Sequence, residues 1–154
     1  MQRRTFLKSS LASSALLMAA GAGLLKPTRV LAADWNKDAF GAKDVASAVK
    51  AVFGTSDATD SDKIKLKAPA LAENGAVVPI KVSSTLADVN KMAIVIEKNG
   101  TPLAAVVDIA SGEPFFSARV KMGKTSPIIA YVMSGGKLYK TSQEVKVTVG
   151  GCGG

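Results

Sequence analysis

Residues 91–110 read KMAIVIEKNGTPLAAVVDIA, and two predicted strands with a turn between them lie in this stretch. The runs KMAIVIEKN (91–99) and LAAVVDIA (103–110) are rich in β-branched and other apolar residues, and Asn99-Gly100 separates their cores. Asn-Gly favours the tight turn of a β-hairpin. The stretch therefore predicts two neighbouring antiparallel strands.

The same pattern of short apolar runs and turn residues extends from residue 63 to residue 149. Turn residues separate the other runs at Asn74-Gly75, Ser111-Gly112-Glu113-Pro114 and Gly135-Gly136. Short strands at even spacing are typical of a β-sandwich. We therefore predict a mostly β protein, an immunoglobulin-like antiparallel β-sandwich of about seven strands, with the last run counted as one strand or two. The predicted strands are 91–99, 103–110, KIKLKA (63–68), AVVPIKVSS (76–84), FFSARVKM (115–122), SPIIAYVM (126–133) and KLYKTSQEVKVTV (137–149).

An N-terminal helix is predicted before the strands, over DWNKDAFGAKDVASAVKAVF (34–53). Val45, Val49 and Val52 fall on one face at helical spacing, which is the pattern of an amphipathic helix. Gly54 is predicted to end the helix.

Two of the predicted strands, 103–110 and 126–133, are nearly continuous apolar runs. A strand in a sheet with one face in water should alternate between apolar and polar residues. One interpretation is that these are central strands rich in small residues. The other is that both faces are covered, one patch by the helix and another by a partner subunit.

The first 32 residues, MQRRTFLKSSLASSALLMAAGAGLLKPTRVLA, have the pattern of an export signal. Arg3 and Arg4 precede a mildly apolar run over 11–25, which is shorter than the roughly 20 residues of a membrane-spanning helix. The arginine pair predicts a cleaved twin-arginine (Tat) signal peptide, cut after Ala32 or, alternatively, after Ala33. We therefore predict export to the periplasm, which is an oxidising compartment.

Removal of this leader changes how the charge of the 154-residue chain is interpreted. The whole chain has 20 basic and 12 acidic residues and a net charge of +8, but five basic residues lie in the leader. About 122 residues then remain with a net charge of +3, which gives no case for nucleic-acid binding. We predict a signal peptide (1–32), a β-sandwich domain with an N-terminal helix (33–149) and a flexible arm (150–154), with no membrane attachment after signal cleavage.

The residue inventory argues against an enzyme. The chain contains no histidine, which is the commonest general base and the commonest metal ligand, and it contains one cysteine. No phosphate-binding glycine motif follows a predicted strand and opens a helix. We therefore predict no catalytic residue, no metal site and no cofactor.

The single cysteine, Cys152, lies between Gly150-Gly151 and Gly153-Gly154. Glycine permits backbone conformations that other residues avoid, and three extended residues beyond Val149 would carry the thiol roughly 10 Å from the sheet. Such an arm suits insertion into a narrow pocket of another protein, which would have to supply any activation of the thiol. The pattern leaves three interpretations: a covalent carrier, a tail that links subunits by a disulfide, or an incidental cysteine.

Two motifs together carry a resemblance to a known family. One is the terminal GGCGG, and the other is Ile64-x-Leu66-x-x-Pro69-x-x-Ala72-Glu73-Asn74-Gly75-x-x-Val78-Pro79. With the Tat leader and the predicted small sandwich, they resemble the SoxY family, the sulfur-carrier subunits of the periplasmic Sox system that oxidises thiosulfate. The resemblance covers essentially the whole chain after the leader.

The resemblance implies that Cys152 is the covalent attachment point for sulfur and that the four glycines around it form the carrier arm. A SoxXA-like c-type cytochrome would join thiosulfate to the thiol as an S-thiosulfonate. A SoxB-like hydrolase would release sulfate and leave a persulfide, which in some organisms a SoxCD-like sulfur dehydrogenase would oxidise. A SoxZ-like subunit would form a heterodimer with the carrier. The alternative is a non-catalytic periplasmic scaffold module with an intermolecular disulfide at Cys152.

Overall fold

The computed structural model describes residues 35–149, and the predicted signal peptide (1–32) and arm (150–154) lie outside the described residues. All the elements belong to the unit that begins at Asn36. The described helices and strands are α1 (Lys37–Gly41), α2 (Val45–Phe53), β1 (Thr59–Asp60), β2 (Ile64–Lys67), β3 (Leu71–Ala72), β4 (Val78–Ser84), β5 (Val89–Ile96), β6 (Leu103–Asp108), β7 (Phe115–Val120), β8 (Ser126–Ser134) and β9 (Lys137–Val147).

The strands form two sheets with the main core between them. The larger sheet has the order β1-β9-β8-β5-β6, and β3 also pairs with β9, while the smaller sheet has the order β2-β4-β7. Ile80 of the smaller sheet and Ile94 and Ile128 of the larger sheet belong to one buried cluster. The predicted mostly β sandwich is therefore confirmed.

The seven predicted strands correspond to β2 and to β4 through β9, and the last run is a single strand of eleven residues. Gly135 and Gly136 form the turn between β8 and β9, with φ values of 53° and 77°. Two left-handed residues in succession are what the tightest hairpin turn requires, and glycine adopts them without strain.

Two strands were not predicted, and both pair with β9 in the parallel direction. β1 and β3 have two residues each, which is too short for a period-two pattern to be visible in the sequence. The prediction of a wholly antiparallel set of strands is therefore wrong at these two positions.

The prediction of one continuous helix over 34–53 is also wrong, because residues 42–44 are not helical. Asn36 Oδ1 accepts the Ala39 N–H at 3.0 Å and begins α1, and Asp44 Oδ1 accepts the Ser47 N–H at 2.8 Å and begins α2. Each of these side chains satisfies a backbone donor that a helix start leaves free, so each begins a separate helix. The hydrogen bond from the Ser47 N–H lowers the pKa of the exposed Asp44 carboxyl.

α2 ends where the sequence predicted. Gly54 has a φ of 79°, and its N–H donates to the Lys50 carbonyl at 2.8 Å. Glycine is favoured at this position because the backbone is left-handed there. No helix among residues 35–149 is long and apolar enough to span a membrane.

The helices cover the outer face of the larger sheet. Ala48 and Val49 of α2 pack in one buried cluster with Val95 of β5 and Tyr131 of β8. Burial beneath the helices raises the pKa of the Tyr131 hydroxyl, and the carboxylates of Glu97 and Asp60 raise it further. β8 therefore has apolar neighbours on both faces, which confirms the prediction that the helix covers one patch and explains the continuous apolar run over 126–133.

The other continuous run has a different explanation. β6 is at one edge of the larger sheet, so the interpretation as a central strand is wrong for 103–110. Leu103 is buried, while the residues over 104–107 are half-buried in the described chain. Coverage of this edge by a partner subunit stays a prediction.

Candidate functional site

The residues predicted to carry sulfur lie outside the described residues, so the geometry of the candidate site is that of the segment immediately before them. Cys152, with Gly150, Gly151, Gly153 and Gly154, follows β9, which lies between β8 on one side and β1 and β3 on the other. Thr148 and Val149 connect β9 to residue 150. The predicted arm therefore follows a strand that is hydrogen-bonded to neighbouring strands on both sides.

Backbone hydrogen bonds hold the end of β9 against the segment 70–75, and we call this set of contacts the arm-base clamp. The clamp joins two short segments, 70–75 and 146–149, which are more than 70 residues apart in sequence. The hydrogen bonds are Lys146 N–H to Ala70 O at 3.0 Å, Thr148 N–H to Ala72 O at 3.1 Å, Thr148 Oγ1 to Glu73 O at 3.1 Å and Gly75 N–H to Val149 O at 2.9 Å. The clamp therefore extends as far as Val149, beyond the end of β9 itself.

Gly75 connects the clamp to the second sheet. Its N–H donates to Val149, and its carbonyl accepts the N–H of Met122 at 2.7 Å, just beyond the end of β7. Asn74 Oδ1 accepts the Ala76 N–H at 2.8 Å, which stabilises the local turn. Asn74-Gly75 was predicted to form a turn between strands. Its further role, which is to link the two sheets at the arm base, was not predicted.

The opposite side of β9 is supported as well. Thr125 Oγ1, just before β8, accepts the N–H of Val147 at 3.0 Å. On the clamp side, Gln143 Nε2 in the middle of β9 donates to the carbonyl of Ala68, just before the segment 70–75, at 2.8 Å. The carboxyl half of β9 is therefore bonded to its neighbours almost to its last residue.

The clamp segments 70–75 and 146–149 contain no thiol, no imidazole and no metal-binding set. Glu73 is their one carboxylate and is exposed to solvent, and residues 35–149 include no group of three His, Cys, Asp or Glu side chains that could hold a metal. The arrangement therefore positions the chain and does not itself carry out a reaction. It fixes the point from which the residues that follow Val149 leave the domain.

An open groove of about 570 Å³ lies on the outer face of the larger sheet. Lys91 and Asp108, which form an ion pair at 3.3 Å, line this groove, and so does Gly136, just before β9. The length of β9 separates Gly136 from Val147 by roughly 36 Å, at about 3.3 Å per residue. The groove is therefore remote from the arm base, and we do not assign it to the carrier site.

A family model described as "Sulfur oxidation protein SoxY" matches residues 49–152. This range contains all nine described strands and both segments of the arm-base clamp, and it ends at Cys152. The chain belongs to the SoxY family. It is therefore a sulfur carrier protein of a sulfur-oxidising system and not itself an enzyme, and it works with other components of the Sox system.

One solved structure agrees with this assignment, and a second shares the fold. The sulfur carrier protein SoxY from Chlorobium limicola f thiosulfatophilum is 38% identical, with a TM-score of 0.61, over 66% of this chain and 94% of that one. The superoxide reductase (neelaredoxin) from Ignicoccus hospitalis is 15% identical, with a TM-score of 0.50, over 55% of this chain and 80% of that one. At that identity the second likeness concerns the fold alone. No curated protein shows a significant match to the chain.

The side-chain hydrogen bond of the clamp gives a direct test of its rigidity. We expect Thr148→Val, which keeps the shape but removes the donor to Glu73 O, to speed amide exchange at Gly75 by roughly twofold to tenfold. This range corresponds to the loss of one hydrogen bond of about 0.5–1.4 kcal/mol. Hydrogen exchange followed by NMR measures it. Thr101→Val, at an exposed threonine between β5 and β6, is the matched control, and equal exchange at Gly75 in both variants would contradict the rigid clamp.

Proposed function

We propose that this SoxY family member is a periplasmic carrier that holds the intermediates of thiosulfate oxidation covalently on Cys152. The observation that carries the proposal is the position of the chain's single cysteine, which is the last residue of the family match and lies three residues beyond the clamped Val149. The chain that carries this thiol leaves the domain at the clamped Val149, and only three residues separate Cys152 from that point. The thiol can be presented to several enzymes in turn without releasing its cargo.

The first step loads thiosulfate. The Cys152 thiolate and the outer sulfur of thiosulfate form an S–S bond, which gives cysteine S-thiosulfonate. Two electrons leave in this step, and a SoxXA-like c-type cytochrome is the acceptor. A thiolate is the species that reacts, so the pocket of that enzyme must favour deprotonation of the thiol.

The next steps remove sulfur as sulfate. Water attacks the sulfone sulfur, the S–S bond next to it breaks, and a SoxB-like hydrolase releases sulfate and two protons while a persulfide stays on Cys152. Where a SoxCD-like sulfur dehydrogenase is present, three waters supply oxygen to the outer sulfur of the persulfide, the dehydrogenase accepts six electrons, and six protons are released. A second hydrolysis then releases sulfate and restores the thiol.

The localisation and the partner subunit are part of the same proposal. The pattern of residues 1–32 supports Tat export to the periplasm, where the Sox enzymes and their soluble substrates would meet the carrier. A SoxZ-like subunit forms the heterodimer with this chain. The half-buried apolar residues of the edge strand β6 support the presence of such a subunit, since an apolar edge strand is seldom left open to solvent.

Intact mass of the mature protein tests the proposal. The protein is incubated with its partner enzymes and thiosulfate, purified without reductant, and measured before and after reduction. We expect a reducible adduct at Cys152 with the added mass of thiosulfonate or of sulfur. A bare thiol throughout would contradict the proposal, and a reducible dimer without adduct would favour the scaffold alternative.

The narrowness of the arm gives a further prediction. We expect Gly151→Val to slow loading and unloading by roughly tenfold to hundredfold, because a β-branched side chain stiffens the backbone and adds bulk where a narrow pocket must admit it. The thermal midpoint should not change. Gly100→Val is the matched control, since a side chain there meets open space, and steady-state turnover in a reconstituted assay measures both. Equal turnover in the two variants would argue against pocket entry.

A further inference from the structure

The outer face of the smaller sheet carries positive charge and no negative charge. Four exposed cations lie on this face of β2, β4 and β7, and the three strands contain no aspartate or glutamate. Residues that alternate with these cations along the strands, such as Ile80, pack in the core, so the cations share one outward face. We call these four residues the basic face: Lys65, Lys67, Lys81 and Arg119.

The register of the strands brings these charges close together. Lys67 lies directly opposite Lys81 in the ladder of β2 and β4, where Cβ atoms are roughly 5 Å apart. Arg119 pairs with Pro79 and is therefore the diagonal neighbour of Lys81, at roughly 7–8 Å. With Lys65 at the other end, the basic face measures roughly 14 Å along the strands and 10 Å across them.

The larger sheet shows the usual arrangement of charges across a ladder, and the basic face departs from it. Lys91 of β5 lies opposite Asp108 of β6 and forms an ion pair with it at 3.3 Å. Lys67 instead lies opposite another lysine, and within residues 35–149 no cation of the basic face forms an ion pair. Because like charges directly opposite each other destabilise a sheet, a negatively charged partner would stabilise this face.

The positive charge of the domain is concentrated at this face. The net charge after the leader is +3, so the remainder of that chain without the four cations is close to neutral. The field that a partner meets is therefore strongest in front of the smaller sheet, while the helices cover the outer face of the larger sheet.

The composition of the face indicates a partner that binds and then leaves. Its other outward side chains are small, apart from Phe115 at the end far from the clamp: Pro79, Ser83 and Ser117. Permanent interfaces are more apolar than this, whereas exposed charges chiefly raise the rate of encounter. The basic face therefore suits a transient protein contact rather than a permanent subunit.

One end of the basic face lies near the arm base. Arg119 is three residues before Met122, whose N–H donates to the Gly75 carbonyl, and the Gly75 N–H donates to the Val149 carbonyl. Strand geometry places Arg119 within roughly 20 Å of Val149, and Cys152 can extend up to about 10 Å further. A protein contact of ordinary size covers roughly 800 Å² on each partner, which is about 30 Å across. A single partner can therefore cover the basic face and also enclose the thiol.

We propose that the basic face docks the enzyme that loads thiosulfate onto Cys152, through an acidic surface beside the pocket of that enzyme. This proposal rests on the carrier function of Cys152. The loading enzyme is the partner that the charges favour, because it holds the thiosulfate dianion when the carrier arrives with an uncharged thiol. After loading, the enzyme has lost that dianion and the arm carries the anionic S-thiosulfonate. Both changes weaken the attraction, so the loaded carrier is released.

The first test is the double variant Lys67→Gln/Lys81→Gln, with Lys43→Gln/Lys50→Gln as the matched control. The control removes the same charge from exposed lysines of the helical segment, which covers the outer face of the other sheet. Loading of the mature carrier, in complex with its SoxZ-like subunit, by the SoxXA-like cytochrome is followed by intact mass at several carrier concentrations.

We expect kcat/KM for loading at about 0.01 M ionic strength to fall fivefold or more in the double variant, through KM, and to stay within about twofold in the control. The difference should shrink above about 0.15 M, where salt screens the face. Equal values of kcat/KM in the two variants at low salt would overturn the proposal.

A second measurement detects the contact without requiring loading. A zero-length carbodiimide joins lysine amines to carboxylates that touch them, and mass spectrometry locates the joined residues. We expect cross-links from Lys67 or Lys81 to the cytochrome, which disappear in the double variant. Cross-links from Lys43 or Lys50 alone would overturn the proposal, since they would place the cytochrome on the helical side.

The outcomes also separate this proposal from the alternatives. Binding to phosphatidylglycerol vesicles that is lost in the double variant, with loading unchanged, would assign the face to a lipid surface and overturn the proposal. If wild type and the double variant are loaded equally well, the docking proposal is wrong and the carrier function stands. If wild type acquires no adduct, the carrier function is wrong, and the cross-links decide separately whether the cytochrome docks on the basic face.

Discussion

Replacing Cys152 with serine is expected to abolish loading of thiosulfate and to reduce thiosulfate-dependent electron transfer to the background of the assay. Serine has nearly the same size but cannot form the S–S bond, and no second cysteine exists in the chain to replace it. Intact mass and reduction of the cytochrome measure the two effects. The thermal midpoint should equal that of wild type, because the substituted residue follows the last residue of the clamp.

A repositioned thiol provides the sharper control for this experiment. The variant Cys152→Ser/Gly153→Cys moves the thiol one residue, roughly 3.5 Å, along the chain. We expect it to react normally with small thiol reagents and to regain only part of the enzymatic loading. Full enzymatic loading would mean that the position of the thiol is unimportant, and an adduct on the serine variant alone would place the sulfur elsewhere.

The second large effect concerns stability. Ile94 is fully buried in β5, which pairs with β8 on one side and β6 on the other. We expect Ile94→Ala to lower the free energy of unfolding by about 2–5 kcal/mol, because the removed atoms leave a cavity that the neighbouring strands cannot close. At roughly 4 °C per kcal/mol for a domain of this size, the thermal midpoint should fall by about 8–20 °C.

Leu71→Ala is the matched control for this stability experiment. It removes the same number of carbon atoms as Ile94→Ala, but from a side chain that is 52% exposed. Its expected loss is within about 0.5 kcal/mol. Urea unfolding followed by circular dichroism measures both variants, and a loss in Ile94→Ala below about 1 kcal/mol would contradict the assignment of this residue to the core.

Much of the fold could be predicted because its long strands carry a clear pattern. In the predicted strand 63–68 lysines alternate with apolar residues, and Lys63, Lys65 and Lys67 are all exposed, as such alternation requires. For the continuous run over 126–133 the interpretation that both faces are covered is confirmed on the outer face, where the helices pack, and β8 is also a central strand between β9 and β5. Period and turn residues are local signals, so they could be read without knowledge of the tertiary structure.

The features that could not be predicted depend on contacts between distant residues. β1 and β3 are strands only because β9 is available to pair with them, and two residues carry no period of their own. The break in the predicted helix depends on Asp44, whose capping role competes with a pattern that continues through it. In each case a tertiary or capping contact overrides the local preference.

One part of the candidate site could likewise be predicted from the sequence, and another part could not. Cys152 could be singled out from the sequence because a lone cysteine among four glycines is a strong compositional signal. The clamp could not, because three of its four hydrogen bonds join residues 70–75 to residues 146–149 by backbone groups that every residue type possesses. The Ala72-Glu73-Asn74-Gly75 stretch carries the family resemblance and a predicted turn, and its contact with the arm base gives it a further physical role.

The interior position of β9 has a consequence for biosynthesis. The ribosome makes Cys152 after all nine described strands, and β9 is the strand to which β1, β3 and β8 pair. Chains released early, before β9, lack both the strand that joins these neighbours and the thiol. Premature termination upstream of β9 therefore yields fragments that cannot complete the larger sheet and have no thiol to modify.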